Sequence, residues 1–315
     1  MNATAMIALL LQLAIAVMGA PFLIGLMRAV RALLEGRGGA RIGQPWRDTR
    51  KLLRKERFAA HGTSWVFAIA PAVVFATAVT VAMLAPFVTT TSPLAAYGDL
   101  FAVVSLLLLG TVMLALAGLD TGTAFGGIGA SREMTISAVA EPAVLLSVFA
   151  LALPSGSSNL ARITAVTLQD PARLASPASI LALIAFVLVT VAETGRLPVD
   201  NPSTHLELTM VHEAMVLEYA GPDLAVVEWA AQVRLVVFLG LIATLFFPWG
   251  ISTGHDLAGV VLGTAAFAAK VAALGSILAA VEVSVAKLRL FRVPELLAGA
   301  FLLAFLAVTV SVVLP

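Results

Sequence analysis

Long runs of apolar residues, separated by shorter polar segments, dominate the pattern of this chain. A helix that crosses a bilayer needs about 20 mostly apolar residues. The runs lie at about 4–27, 65–88, 98–119, 135–153, 177–193, 234–250, 258–283 and 294–314. Runs this long do not alternate between apolar and polar residues, as barrel strands do. The pattern predicts an all-α polytopic membrane protein with about eight transmembrane helices in one membrane domain, residues 1–315.

The composition excludes whole classes of protein. Hydrophobic residues make up 60% of the chain and charged residues only 12%, against roughly a quarter charged in an ordinary globular domain. So little polar material cannot cover the surface of a soluble enzyme, a nucleic-acid-binding domain or a disordered scaffold. The chain contains no Cys, which excludes a thiolate metal site or a cysteine-held iron–sulfur cluster within it. We therefore expect a multi-pass membrane protein, with lipid and no nucleic acid among its partners.

The basic residues predict the orientation. Ten of the 19 lie in the segment 28–64. If the chain has eight spans, sixteen of the basic residues lie on the same side of the membrane as this segment. Only Arg162 and Arg173 lie on the other side. Cytoplasmic loops carry the excess of Lys and Arg, so both termini are predicted to face outward. Three cytoplasmic loops, at about 28–64, 120–134 and 194–233, are dense in Gly, Pro and charge.

The third of these loops carries an acidic segment. Thr204 and Glu207 form a T-x-x-E capping box, which predicts a helix start, and Gly221 is expected to end that helix. The acids Glu213 and Glu218 follow Glu207 among apolar neighbours. One interpretation is a solvated amphipathic helix on the membrane surface. The other is a set of carboxylates folded back toward the bilayer, where protonation responds to nearby charge.

Ionisable residues inside the apolar runs are candidates for function, because a charge in a bilayer costs several kcal/mol unless it is paired or hydrated. Glu141 precedes Pro142 in the fourth run, and Lys270 and Glu282 lie in the seventh. Asp120 and Glu193 mark the cytoplasmic ends of the third and fifth. Purely structural ion pairs, or caps at the interface, remain alternatives for these residues.

The segment 118–133 has five Gly in sixteen residues. It is not a Walker motif, because no Gly-Lys-Ser/Thr follows. Glycine at this density indicates tight turns that let the backbone of a partner approach closely.

Three motifs together resemble a known family. The run E-T-x-R-x-P-x-D-x-P over 193–202, the later E-Y-A-G over 218–221, and the loop sequence from Arg37 to Glu56 resemble subunit 1 of respiratory complex I. The same subunit family occurs in formate hydrogenlyase and other energy-converting membrane-bound NiFe hydrogenases. The hydrogenase branch of the family is resembled most by four features, namely Gly195 and the runs at 46–48, 118–133 and 286–295.

The resemblance implies a non-catalytic subunit of a bacterial or archaeal cytoplasmic membrane. This subunit anchors a peripheral redox arm and couples electron transfer to proton translocation. Its expected partners are the hydrogenase large and small subunits, an iron–sulfur protein and antiporter-like membrane subunits. No cofactor is expected in this chain, whereas a NiFe centre and iron–sulfur clusters are expected in the partner subunits.

The resemblance also suggests roles for individual residues. The implied proton path comprises Glu193, Asp200, Glu207, Glu218, Asp120 and Glu141. Arg196 is expected to tune the charge of these acids. Lys270 and Glu282 are added to this path for a different reason, which is the cost of burying their charges in a membrane. The residues expected to dock partners are Arg37, Arg41, Gln44, Trp46, Asp48, Lys51 and Arg132.

The sequence alone leaves three other functions open. The first is the quinone-site subunit of a complex I NADH dehydrogenase, which has the same fold. The second is a stand-alone ion transporter. The third is a passive anchor in which the buried acids merely satisfy one another.

Overall fold

The computed structural model describes residues 3–58, 60–200, 210–254, 256–289 and 292–313. Within these residues the chain forms twelve α-helices and a short π-helix, Ala14–Met18. The helices are α1 (Ala3–Leu13), α2 (Ala20–Leu34), α3 (Gln44–Leu53), α4 (Trp65–Leu84), α5 (Leu100–Asp120), α6 (Ala124–Ser155), α7 (Leu160–Gln169), α8 (Pro177–Glu193), α9 (His212–Val216), α10 (Gly221–Leu245), α11 (Leu257–Ser284) and α12 (Val293–Val313).

The helices confirm an all-α polytopic membrane protein. Of the described helices, α4, α5, α6, α10, α11 and α12 are each long and apolar enough to cross a membrane. The bent pair α1–α2 passes the same test as one span, and α8 is a shorter apolar helix of 17 residues. Each predicted apolar run therefore coincides with a helix, while the count of eight spans and the outward termini stay predictions.

Polar side chains at the loop ends explain where several helices begin. Ser64, Asp99, Thr123 and Asp256 each accept a hydrogen bond from a backbone N–H in the first turn of α4, α5, α6 and α11. Such caps satisfy N–H groups that have no partner within the helix. The apolar runs set the helix interiors, and the caps set their first residues.

Two helices extend much further into the predicted cytoplasmic loops than the hydropathy indicates. Helix α6 begins at Ala124 and α10 at Gly221, where the apolar runs predict starts at 135 and 234. The Gly-rich segment is therefore mostly helical. Hydropathy identified only the apolar part of each helix, because the preceding turns carry polar side chains.

The first span is broken by a π-helix and bends by 47° between α1 and α2. A π turn leaves a backbone carbonyl free for another donor. The indole Nε1 of Trp229 donates to the Val17 carbonyl at 2.8 Å. The Trp46 ring of α3 meets the Trp229 ring edge-on, with centroids 5.3 Å apart. Trp229 of α10 therefore contacts both α3 and the broken first span.

The glycines of α5 and α6 allow a close approach within this chain. A Cβ on Gly129 would lie 2.9 Å from both the Ala214 Cβ and the Val211 carbonyl oxygen, and one on Gly118 would lie 3.1 Å from the Met215 Cγ. The expectation of a close backbone approach was right. The approaching segment is the chain's own α9 region, where the sequence had suggested a partner.

Candidate functional site

A charged cavity of about 360 Å³ is lined by residues of α2, α4, α5, α6, α8, α9 and α10 and of the 194–200 loop. Its lining includes the ends of α2, α6, α8 and α9 that adjoin the predicted cytoplasmic loops. We call it the acid-lined cavity. Its ionisable lining residues are Glu133, Glu193, Asp200, Glu213, Glu228, Arg28, Arg196, Arg234 and His212. Five carboxylates facing three guanidinium groups keep the total charge low, while leaving many groups that can hold a proton.

Glu193 and Arg234 form an ion pair in the wall of the cavity. The Glu193 side chain, at the last residue of α8, is 1% exposed. Arg234 also donates to the Leu107 carbonyl at 3.4 Å and stands 5.8 Å from the centre of the Phe238 ring. The second oxygen of Glu193, Oε1, is buried and has no hydrogen-bond partner among the described residues. That oxygen is a natural acceptor for a water or a proton.

Asp200 binds the segment that leads into α9. Its Oδ2 accepts from the backbone N–H groups of Val211 at 3.2 Å and His212 at 3.4 Å. Its Oδ1 lies 3.3 Å from the Lys287 ammonium, and Arg132 of α6 donates to the Met210 carbonyl at 3.0 Å.

These side-chain bonds hold residues 210–211 outside a helix. The prediction of one helix from Thr204 to Gly221 is therefore wrong over the described part, where α9 covers only 212–216. Gly221 starts α10 and does not close a preceding helix.

Glu282 of α11 lies between two arginines. Its carboxylate pairs with Arg31 of α2 and lies 3.6 Å from Arg196, and its side chain is fully buried. Burial lowers the pKa of the Arg196 guanidinium, and the Glu282 charge partly restores it. The Glu282 carboxylate therefore joins α2, α11 and the 194–200 loop. We call this group of Arg31, Glu282 and Arg196 the Glu282 clamp.

His212 places an imidazole in the cavity wall. Burial lowers its pKa, and the neighbouring carboxylates Glu213 and Asp200 raise it in part. The ring is therefore neutral at physiological pH. A neutral imidazole has one nitrogen that donates and one that accepts, so it can pass a proton between groups on either side.

Glu141 lies deeper in α6, beyond the cavity wall. Its carboxylate is buried, and neither oxygen has a hydrogen-bond partner among the described residues. The charges of Glu193 and Arg234 act on it, and those of Glu193, Arg234 and Asp200 act on Glu133. The acids of α6 and α8 are therefore electrostatically linked from the cavity toward the interior.

Three other residues of the implied proton path, Asp120, Glu218 and Lys270, do not line the cavity. Asp120 accepts from the backbone N–H groups of Ser64 at 2.7 Å and Phe67 at 3.3 Å, at the start of α4. Glu218 follows α9 and does not line the cavity. The Lys270 ammonium donates to three carbonyl groups where α10 ends. These are Ala243 at 3.1 Å, Phe247 at 2.8 Å and Trp249 at 2.8 Å. Glu207 lies outside the described residues.

The residues expected to dock partners divide into two kinds. Arg37, Arg41 and Lys51 are exposed. Gln44 donates to Asp48 at 2.9 Å within α3, while Trp46 packs on Trp229 and Arg132 braces the α9 segment. The exposed residues are therefore accessible to another protein. The others, Gln44, Trp46, Asp48 and Arg132, make contacts within this chain.

The comparison with known proteins agrees with the motifs. The NADH dehydrogenase family matches residues 6–313. The chain belongs to this family of NADH dehydrogenase subunit 1-like proteins. It is 34% identical to "Formate hydrogenlyase subunit 4" of Escherichia coli strain K12 over 288 residues, covering 91% of this chain and 92% of that protein.

One further relative of this subunit 1-like chain and one solved structure of similar fold are informative. "Hydrogenase-4 component C" of Escherichia coli strain K12 is 35% identical over 244 residues, covering 76% of this chain and 75% of that one. A chain in the solved structure of an archaeal membrane-bound sulfane sulfur reductase has the same fold, with a TM-score of 0.84 and 20% identity. That match covers 98% of this chain and 99% of the other. The resemblance to the hydrogenase branch is confirmed, and the subunit 1-like protein is a multi-pass protein of the cell membrane.

Sequence reasoning missed several cavity residues of this subunit 1-like protein. Glu133, Glu228 and Arg234 were not proposed for the site, although all three line it. A signal existed in α10, because Glu228, Gln232 and Leu235 follow a helical period and share the cavity. The apolar run starts at 234, so Glu228 and Gln232 were assigned to a loop.

Among the residues that the structure describes, no group of three or more His, Asp or Glu side chains could hold a metal ion. The carboxylates and the imidazole of the acid-lined cavity can each bind and release a proton.

Proposed function

We propose that this chain is the membrane-anchor and proton-coupling subunit of a formate hydrogenlyase-like hydrogenase complex. Its partners in that assembly would be the hydrogenase large and small subunits, an iron–sulfur protein and antiporter-like membrane subunits. The NiFe centre and iron–sulfur clusters would belong to those partners. The identity to "Formate hydrogenlyase subunit 4" and "Hydrogenase-4 component C" supports this assignment.

The acid-lined cavity is the single observation that carries the coupling role. It opens beside helix ends that adjoin the basic loops, where a redox arm would dock, and its wall contains the ion pair Glu193–Arg234. Glu141 continues the acids into α6 without a hydrogen-bond partner among the described residues. A passive scaffold gains nothing from a buried carboxylate left in this state, because such a group costs free energy.

The electrostatic energy that an added charge supplies is comparable with the energy needed to move a proton across the membrane. An added charge about 4 Å from a carboxylate interacts with it by roughly 4 kcal/mol at an effective dielectric constant near 20. Moving one elementary charge against 100 mV costs about 2.3 kcal/mol. A docked electron carrier that changes charge near this cavity can therefore alter proton occupancy by enough energy to matter for translocation.

The test uses the whole complex, reconstituted in liposomes and driven by reduced methyl viologen. Hydrogen evolution and the pH gradient are recorded together, with and without a protonophore. We expect Glu193→Gln to lower the gradient formed per hydrogen evolved by at least about tenfold. Hydrogen evolution should continue in that variant and become insensitive to the protonophore.

The control is Arg162→Gln, which removes an exposed charge from α7. It should leave both readings unchanged. An unchanged gradient in Glu193→Gln, at unchanged hydrogen evolution, would refute the coupling role. Failure of the large and small subunits to co-purify with the chain would refute the anchor role.

A further inference from the structure

Helix α10 ends beside the middle of α11. Its last residue is Leu245, and the carbonyl groups at that end bind Lys270, the fourteenth of the 28 residues of α11. The segment 246–251 then continues along α11 without helical structure, and a Cβ on Gly250 would lie 2.7 Å from the Ala266 Cβ. Backbone that leaves a helix at the depth of a membrane span needs new hydrogen-bond partners, because lipid offers none.

Three backbone carbonyl groups at this break converge on one ammonium. The Lys270 Nζ donates to the carbonyl oxygens of Ala243 at 3.1 Å, Phe247 at 2.8 Å and Trp249 at 2.8 Å. An ammonium has three N–H donors, so each donor has a partner. None of the ion pairs among the residues that the structure describes includes Lys270. Within the described part of the chain, neutral backbone oxygens alone therefore hold this charge.

The arrangement has the chemistry of a site for a monovalent cation. Backbone carbonyl oxygens replace the hydration shell of potassium in ion channels. Calcium and magnesium are bound mainly through carboxylates, at distances of about 2.0–2.6 Å. The three carbonyl groups here are uncharged and lie further from the cation. The C-terminal end of α10 adds a partial negative charge, which also favours a cation.

We infer that the carbonyl groups of Ala243, Phe247 and Trp249 form a binding site for a potassium-sized monovalent cation, which Lys270 fills as a tethered cation. The ligands are backbone atoms, so they remain when the lysine is shortened. Trp249 is 60% exposed, so solvent reaches one side of the site and water can complete the shell of an ion. The inference is independent of the proposed function, because Lys270 does not line the acid-lined cavity.

The test compares two variants of the whole purified complex. Lys270→Ala removes the ammonium and opens space beside the carbonyl groups. Lys270→Met is the matched control, because it removes the charge and keeps a side chain of similar length in that space. Alanine and methionine both favour a helix, so α11 should form in each variant. Hydrogen exchange of residues 243–252 is measured in potassium, sodium or choline chloride at one pH and ionic strength.

We expect this segment of Lys270→Ala to exchange at least about tenfold more slowly in potassium than in choline, because a bound ligand raises protection by the factor 1 + [L]/Kd. Sodium should protect less, since its smaller ion requires shorter distances to oxygen. The wild type and Lys270→Met should each exchange at one rate in all three salts. In the wild type the lysine already fills the site, and in the control the methionine blocks it.

Three results would overturn the inference. The first is equal exchange of Lys270→Ala in potassium and choline, and the second is equal protection by sodium and potassium. The third is protection of Lys270→Met by potassium, which would indicate a general effect of salt.

Assembly of the complex provides a second measurement. Lys270→Ala should be recovered in higher yield when membranes are solubilised in potassium buffer than in choline buffer. Failure of this variant to assemble even in potassium would also refute the site, because the free ion should replace the tethered one.

Discussion

Arg234 of α10 pairs with Glu193 at the end of α8, and this contact joins two membrane helices inside a charged cavity. The Arg234 side chain is 15% exposed and that of Glu193 is 1% exposed, so neither charge is well solvated. The pair therefore has a structural role and, in our proposal, a coupling role. The two can be separated by experiment.

The first prediction separates the structural role from the coupling role by replacing both charged residues with neutral glutamines. Removing one partner of a buried ion pair costs about 3–5 kcal/mol, because the other charge is left uncompensated. We expect Glu193→Gln alone to reduce the thermal stability of the complex. Adding Arg234→Gln should recover most of that stability without restoring the pH gradient. Recovery of the gradient in the double variant would show that the carboxylate is dispensable.

The second prediction concerns the clamp at Glu282. Glu282→Gln leaves Arg31 and Arg196 facing each other without their shared carboxylate. We expect a loss of stability of several kcal/mol, measured as a lower melting temperature of the purified complex. The exposed pair Arg37–Glu35 is the control, because the Arg37 side chain is 73% exposed. Arg37→Ala should cost less than about 1 kcal/mol.

Proton coupling distinguishes the clamp from a path residue. The surviving Glu282→Gln complex should form the wild-type gradient per hydrogen evolved. A selective loss of the gradient, at wild-type stability, would return Glu282 to the proton path.

The sequence was sufficient for the helices and for part of the site. Every apolar run became a helix because burial in lipid is decided by long stretches of residues, which hydropathy averages well. Glu193 and Asp200 were identified and both line the cavity. Their motif resembled a known family, so no knowledge of long-range contacts was needed.

The remaining cavity residues depend on contacts between distant parts of the chain. Glu133 and Arg234 are 101 positions apart and come together only because α6 and α10 both line one cavity. Lys270 is ambiguous in sequence for the same reason. A lysine within an apolar run predicts a functional charge, yet the carbonyl groups that bind it lie more than twenty positions earlier.

The third prediction tests the crossing of α6 and α9. Gly129→Val would place carbon atoms against Ala214 and the Val211 carbonyl, which are 2.9 Å from an ideal Cβ. Overpacking of this kind costs about 1–3 kcal/mol, and here it would displace the segment that Asp200 holds. We expect a smaller yield of assembled complex. Gly127→Ala is the control, since a Cβ there meets nothing within 4 Å, and it should be neutral or stabilising.

The fourth prediction assigns Lys270 to helix termination. Lys270→Met removes the donor to three carbonyl groups at the end of α10. A cation at a helix C-terminus contributes up to about 2 kcal/mol. We therefore expect a lower melting temperature with an unchanged gradient per hydrogen evolved. Arg162→Met removes an exposed cation and should change neither. A lost gradient in Lys270→Met would place this lysine in the path.

The last prediction concerns pH and the α9 segment. His212 has an ordinary pKa of 6.5, which burial lowers in the folded protein. Below about 6.5 the opened segment binds a proton that the folded segment does not, so acid favours opening. Stability is fully present above that pH and is lost as the pH falls toward the lower folded value, by at most about 1.4 kcal/mol per pH unit.

Hydrogen exchange of residues 212–216 measures this opening directly in the intact complex. Protection of α9 should fall between pH 7.5 and 5.5 in the wild type, after correction for the intrinsic exchange rate. His212→Gln should remove most of that fall, because glutamine does not titrate. The charges of Glu213, Asp200 and Arg234 face the ring, and they remain in the variant, so the difference between the two proteins isolates the imidazole. An equal fall in both would assign the pH sensitivity to those carboxylates.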